Sequence, residues 1–259
     1  TTFTTYLEDA RYEFLSYVHP LAPGSAFGVS LTALQIDDMH RDNNGNEGSE
    51  FTNSDMAVGL TYGRQFQSIR VGASVKYIDC SLDVYSADAF ALDLGVQGDI
   101  TESWFWGAAV TNIGSDLKFI NDGDPLPRTY RLGLGMRALD RRLLLLTDIQ
   151  RVRGGENDWR FGLEWQPLDR IFVRLGYINA GNETLEEGFR AGLGFKHDLG
   201  ELDYAYGDFG EMGLVHQFSY AYQFGSPDEM EQQTQREADY EELYREYLER
   251  YYQETGRAH

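Results

Sequence analysis

An all-β fold, a transmembrane antiparallel up-and-down β-barrel of about fourteen strands, is predicted by three features of this 259-residue chain. Apolar side chains recur at every second position in one short segment after another, which is the period of a strand. The positions between them carry charge or glycine, the mark of a polar lumen. The connections alternate short and long, as in bacterial barrels with tight periplasmic turns and longer external loops.

Taken in order, weaker alternation opens the series at Tyr12 to Val18, Phe27 to Ala33 and Met56 to Tyr62. The first strong strand sets Ile69, Val71, Ala73, Val75 and Tyr77 against Arg70, Gly72, Ser74 and Lys76. Phe90, Leu92, Leu94 and Val96 then alternate with Ala91, Asp93, Gly95 and Gln97, and a weaker segment follows at Trp104 to Val110. Tyr130, Leu132, Leu134 and Met136 face away from Arg131, Gly133, Gly135 and Arg137, and Leu143 to Ile149 is again weaker. Trp159 to Trp165 interleaves with Arg160, Gly162 and Glu164, Ile171 to Tyr177 with Phe172, Arg174 and Gly176, and Phe189 to Phe195 with Arg190, Gly192 and Gly194, with Lys196 beyond. Leu202 to Tyr206 and the row Phe218, Tyr220, Tyr222, Phe224 complete thirteen segments. Each is about nine to twelve residues long, enough for a tilted strand to cross a bilayer. Most rows begin or end in Tyr, Trp or Phe, as interfacial girdles do.

Short turns fall at His19 to Ser25, Gly63 to Ser68, Gly98 to Glu102, Ala138 to Arg141, Gln166 to Arg170 and His197 to Glu201. Longer ones fall at Asp37 to Asp55, Ile78 to Asp88, Ile113 to Pro127, Arg151 to Asp158 and Asn179 to Glu187. If short means periplasmic, the first segment runs downward and the last also finishes in the periplasm. Barrels of this kind have an even strand count, so the expectation is a fourteenth, upward strand lying before Thr1. A soluble β-sandwich also alternates, but charge and glycine opposite the apolar rows, and aromatic row ends, argue against it.

Composition narrows the function classes. With 22 Lys plus Arg against 42 Asp plus Glu, the formal charge is −20, a poor match to nucleic acid or anionic lipid. The single cysteine, Cys80, excludes an intrachain disulfide or a cysteine-rich metal site, and the five histidines form no close pair. His19, His197 and His216 have no Ser or Asp at triad spacing, so neither enzyme activity nor a cofactor is expected. The loop Asp42-Asn43-Asn44-Gly45-Asn46-Glu47 has alternating oxygen ligands but lacks the Gly and Glu of a calcium loop, and with Asn121-Asp122-Gly123-Asp124 it reads as solvated acid.

Gly225, Ser226 and Pro227 break the strand pattern, so the chain divides at 1–225, the barrel, and 226–259, an acidic Tyr-rich tail in the periplasm. In the tail Tyr240, Leu243, Tyr244, Tyr247, Leu248 and Tyr251 form one stripe of an amphipathic α-helix, supported by Glu241–Arg245 and Glu246–Arg250 at i, i+4. One helix cannot bury its own stripe, which makes these six residues candidate contacts for a protein partner.

Further segments resemble a known family. Tyr12-Glu13-Phe14-Leu15-Ser16-Tyr17-Val18-His19-Pro20-Leu21 with Gly28-Val29-Ser30-Leu31, Ala109-Val110-Thr111-Asn112-Ile113-Gly114, Pro125-Leu126-Pro127-Arg128-Thr129-Tyr130 and Gly213-Leu214-Val215-His216-Gln217-Phe218-Ser219 are similar in order and spacing to PorV/PorQ-type outer-membrane barrels of the FadL-like superfamily. The resemblance spans nearly all of residues 6 to 225. It implies fourteen strands, a lumenal plug N-terminal to the first, residence in outer-membrane lipid, and a part in type IX secretion, as anchor or protein handler, through the long loops Asp37 to Asp55 and Ile113 to Pro127 and the tail. FadL-like relatives imply the alternative, a channel for hydrophobic solutes such as fatty acids with a hydrophobic ligand in the lumen. A purely structural anchor is the third reading.

Overall fold

The computed structural model describes residues 1–5, 10–41, 47–120, 122–180, 187–208 and 213–224. They form fourteen strands: β1 (Thr2–Thr5), β2 (Arg11–Ala22), β3 (Ser25–Arg41), β4 (Glu47–Phe66), β5 (Ile69–Leu82), β6 (Tyr85–Asp99), β7 (Trp104–Gly114), β8 (Thr129–Ala138), β9 (Leu143–Val152), β10 (Asn157–Leu168), β11 (Ile171–Asn179), β12 (Gly188–His197), β13 (Gly200–Asp208) and β14 (Leu214–Tyr222). Each strand lies beside its neighbours in sequence, and β1 closes the ring between β14 and β2. β1 pairs with four residues on each side and closes the ring at that height; a closed sheet has no edge to present to hydrocarbon.

All thirteen expected segments are strands. The fourteenth corrects the expectation that it lies before Thr1: Thr2–Thr5 takes that place, with Thr2 opposite both Ser219 and Phe14. Four residues with one apolar side chain carry too little alternation to read as a strand, and pairing on both sides supplies what the pattern lacks.

The apolar rows face outward. Along β5 exposure alternates, with Val71, Val75 and Tyr77 exposed and Arg70, Gly72, Ser74 and Lys76 half-buried. Phe90 on β6 is 60% exposed and Leu175 on β11 54%, values that mean lipid contact for a side chain on the outside of a closed barrel. Toward the long connections the rows end in paired aromatics, Tyr77 with Phe90 at 5.2 Å and Tyr177 with Phe189 at 4.8 Å between ring centroids. Glycine on the inner face leaves space that side chains use: the Phe105 ring lies over Gly135, where a Cβ would overlap it, and Arg137 stacks 4.2 Å from the same ring.

The short turns hold as expected, and neighbouring ones are stitched together. Arg142 pairs with Asp169 at 3.0 Å and Arg170 with Asp198 at 2.8 Å, while Gln166 and Lys196 donate backbone N–H groups to the Arg142 and Arg170 carbonyls. Two of the long connections differ from expectation. β3 and β4 stay paired to Arg41 and Glu47, so most of Asp37 to Asp55 is hairpin, and β5 and β6 run on to a tight turn at Asp83 and Val84. The last strand ends at Tyr222, short of Phe224.

By contact Thr1–Ala221 forms one compact unit. The expected tail helix with Tyr240, Leu243, Tyr244, Tyr247, Leu248 and Tyr251 falls outside the described residues, as do most of the Asp42 to Glu47 loop and of the Asn179 to Glu187 connection.

Candidate functional site

The polarity of the wall inverts along β3 to β6. Cross-strand register places Gln35, Ser54, Ser81 and Ser86 in one outward row, with Asp79 and Asp88 paired just below it and Asp37 and Thr52 just above. The inward rows at this height hold Phe14, Thr32, Ala57, Ile78 and Ala89, then Tyr12, Leu34, Asp55, Cys80 and Ala87. Side chains that face lipid lower down thus give way to polar ones, while the inner face turns apolar. This collar, beyond the aromatic row, is polar outside and carries an oily panel within.

Part of the panel is already covered. Ala89, Ala91 and Leu126 are 2%, 3% and 5% exposed and pack together, with Ile78 and Leu117 against them. Leu126 and Leu117 come from the β7–β8 connection, which therefore folds onto the inner wall at the mouth. Leu117 and Asp124 close that connection with a pair of backbone hydrogen bonds of 2.9 and 2.8 Å. The Gly123 of this turn has no room for a Cβ beside Asp116.

A polar knot fixes where the connection leaves the wall. The β6–β7 register shifts between Leu92 and Leu94, a bulge that puts Asn112 at φ 58°. Its backbone N–H donates to Asp93 at 2.8 Å, its Oδ1 accepts from Lys76 Nζ at 2.6 Å, and its Nδ2 donates to the Pro127 carbonyl at 3.2 Å. Lys76 also pairs with Asp93 at 2.8 Å. Each member is satisfied by another, so the bulge is held firmly although it breaks the ladder.

Below the collar the inner face is charged and paired. Arg70 makes a two-pronged contact with Asp99 at 2.9 Å, and Arg137 reaches the same carboxylate at 3.8 Å. Arg131 lies 3.7 Å from Asp148 and donates to Gln150, and Arg160 lies 4.0 Å from Asp158. Arg174 meets three carboxylates, Glu164 at 2.6 Å, Glu201 at 2.8 Å and Asp203. Gly194 permits this, since a Cβ there would stand 2.7 Å from Asp203 Oδ1. A recess of about 370 Å³ opens beside this cluster, floored by Gly176 and Gly192 and edged by Arg174, Arg190, Asp203, Gln217 and Ser219.

The two rims differ in charge. Among the described residues the short-turn rim balances Arg64, Arg141, Arg142 and Arg170 against Glu102, Asp140, Asp169 and Asp198. The long-connection rim sets Glu13, Asp37, Asp79, Asp83, Asp88, Asp116, Asp122, Asp124, Glu156, Glu187 and Asp208 against Arg11, Lys118, Arg128, Arg151 and Arg153. Histidines sit on the outer surface beside tyrosines: Tyr204 and His216 share a 2.9 Å hydrogen bond, and His19 and His197 stack near Tyr17 and Tyr220.

Alternation found the lumenal charges Arg70, Lys76, Asp93, Arg131, Arg137, Glu164, Arg174, Arg190 and Lys196, which all fall on the inner face. It missed the collar panel. The available signal is Ala87, Ala89 and Ala91 alternating with Asp88, a pattern of opposite sense continuous with the strand that follows.

No family model matches the chain, and no curated protein does. Solved structures do. The chain is similar to a TodX deltaS2S3 mutant monoaromatic hydrocarbon channel, with 15% identity, TM-score 0.57 and 86% of this chain and 88% of that chain covered. It is similar to the Ralstonia pickettii toluene transporter TbuX, with 14% identity, TM-score 0.59 and 86% and 87% covered. A Pseudomonas aeruginosa FadL homologue aligns at 12% identity and TM-score 0.53, over 83% and 78%. The likeness is one of fold: the chain shares a closed antiparallel β-barrel with these proteins.

Proposed function

We propose that the protein is a non-catalytic outer-membrane channel that takes small hydrophobic solutes from the side of the long connections, the cell exterior, and passes them inward. The inverted polarity of the collar carries the proposal. An apolar inner face above the lipid belt does nothing for membrane insertion, and it offers an oily solute a place to leave water. Two of the similar structures, a monoaromatic hydrocarbon channel and a toluene transporter, support this reading.

The test is toluene uptake by host cells stripped of their own hydrophobic-solute channels. Expression should raise the initial rate severalfold over empty vector, and Ala89→Arg, which puts a charge into the Leu126 seat, should remove most of the gain. A correctly inserted barrel that leaves uptake unchanged would sink the proposal.

The rival proposal is the PorV-type one, in which the barrel anchors or hands on proteins and the 226–259 tail docks a periplasmic partner through its tyrosine stripe. It rests on the sequence resemblance. Purification in mild detergent separates the two: a stoichiometric partner that disappears on deleting Asp228 to His259 favours the rival.

A further inference from the structure

We infer that the channel is selective by charge, admitting uncharged hydrophobic solutes and turning away carboxylate-bearing amphiphiles of the same size. The inference rests on the channel reading above and narrows its substrate class. Three stretches of the route agree.

At the entrance the carboxylates named above outnumber the cationic side chains, whereas the other rim is near balance. Such a field acts over roughly 8 Å at physiological salt and lowers the local concentration of anions. Inside the collar the panel is apolar, and the ionisable carboxyl that joins it, Asp55, has the sign of the solute to be excluded. Asp55 is exposed in the lumen, opposite Cys80, where a passing carboxylate would meet it.

Below the collar lie cations that could welcome an anion, but they are taken. Lys76 is held by Asp93, Arg70 and Arg137 share Asp99, and Arg174 in the wall of the recess already faces three carboxylates. An arriving carboxylate would shed water beside cations whose carboxylate partners it would have to displace, an unfavourable exchange for a buried ion. Lys196 stands at the short-turn end of β12, after the lumen has been crossed. A neutral solute meets none of these penalties.

The experiment uses the full chain in the same channel-deficient host and compares propylbenzene with 3-phenylpropanoate at pH 7.5, where the carboxyl is ionised. Expression should raise propylbenzene uptake severalfold and leave 3-phenylpropanoate near the empty-vector rate. Asp55→Lys should then raise the anion-to-neutral uptake ratio by about tenfold, within reach of one reversed charge near a protein surface, and Asp55→Asn by less. If 3-phenylpropanoate gains as much as propylbenzene, the selectivity is refuted while the channel stands. An unaltered ratio in Asp55→Lys refutes it too. If neither solute gains, the channel reading fails and the inference falls with it.

Discussion

The belt and the collar are built from the same strands and obey opposite rules. On β5, Val71 and Val75 point into lipid while Arg70 and Lys76 point inward; a few residues further on, Asp79 and Ser81 point outward while Ile78 and Cys80 point inward. Alternation of side chains is fixed by backbone geometry and does not change along a strand. What changes is the medium on each face. A reversal of polarity without a reversal of pleat therefore marks where the wall leaves the membrane, and here the mark falls at the Tyr77–Phe90 row.

The sharpest way to break this comparison is one substitution made twice. Val75→Arg, in the belt, should cost about 2–4 kcal/mol of stability in lipid vesicles, and Ser81→Arg, on the same face of the same strand in the collar, about 0–1 kcal/mol. Equal costs in urea titrations would move the boundary. Next in size is Gly135→Ala inside the belt, where the new methyl must displace the Phe105 ring and loosen Arg137; about 1–3 kcal/mol should be lost. In the collar, Asn112→Ala gives up two side-chain hydrogen bonds and keeps the left-handed backbone, whereas Asn112→Gly relaxes the backbone. Glycine should be the more stable variant by about 1 kcal/mol, and a reversed order would show that the bulge is not strained. The gentlest probe is Leu126→Glu, which unseats the β7–β8 connection without touching the barrel. Trypsin should cut at Lys118 or Arg128 faster than in the parent, with global unfolding unchanged.

The belt was legible in the sequence because lipid demands a strict rule: every second residue apolar, on every strand. Thus Ile69 to Tyr77 and Phe189 to Phe195 announce themselves. Water outside the collar demands less, so Asp37, Asp38 and His40 read as loop although β3 runs through them. β1 was hidden by its shortness. The seat of Leu126 on Ala89 and Ala91 joins residues about 35 apart through a non-repeating connection, and no period encodes such a contact. The Arg174 cluster was half legible: alternation put Arg174 and Glu164 on the inner face, but which acids meet the guanidinium depends on strand register.

The topology also bears on how the chain is put together. Because each strand from β2 to β14 lies beside the one made just before it, every hairpin can be laid down on its predecessor as the chain emerges, with mostly short loops to close. One junction is of another kind: Thr2 meets Ser219 across 217 positions. That seam can form only after the rest of the ring exists, which makes it the last stitch in assembly and the place where an unfinished sheet would wait for help.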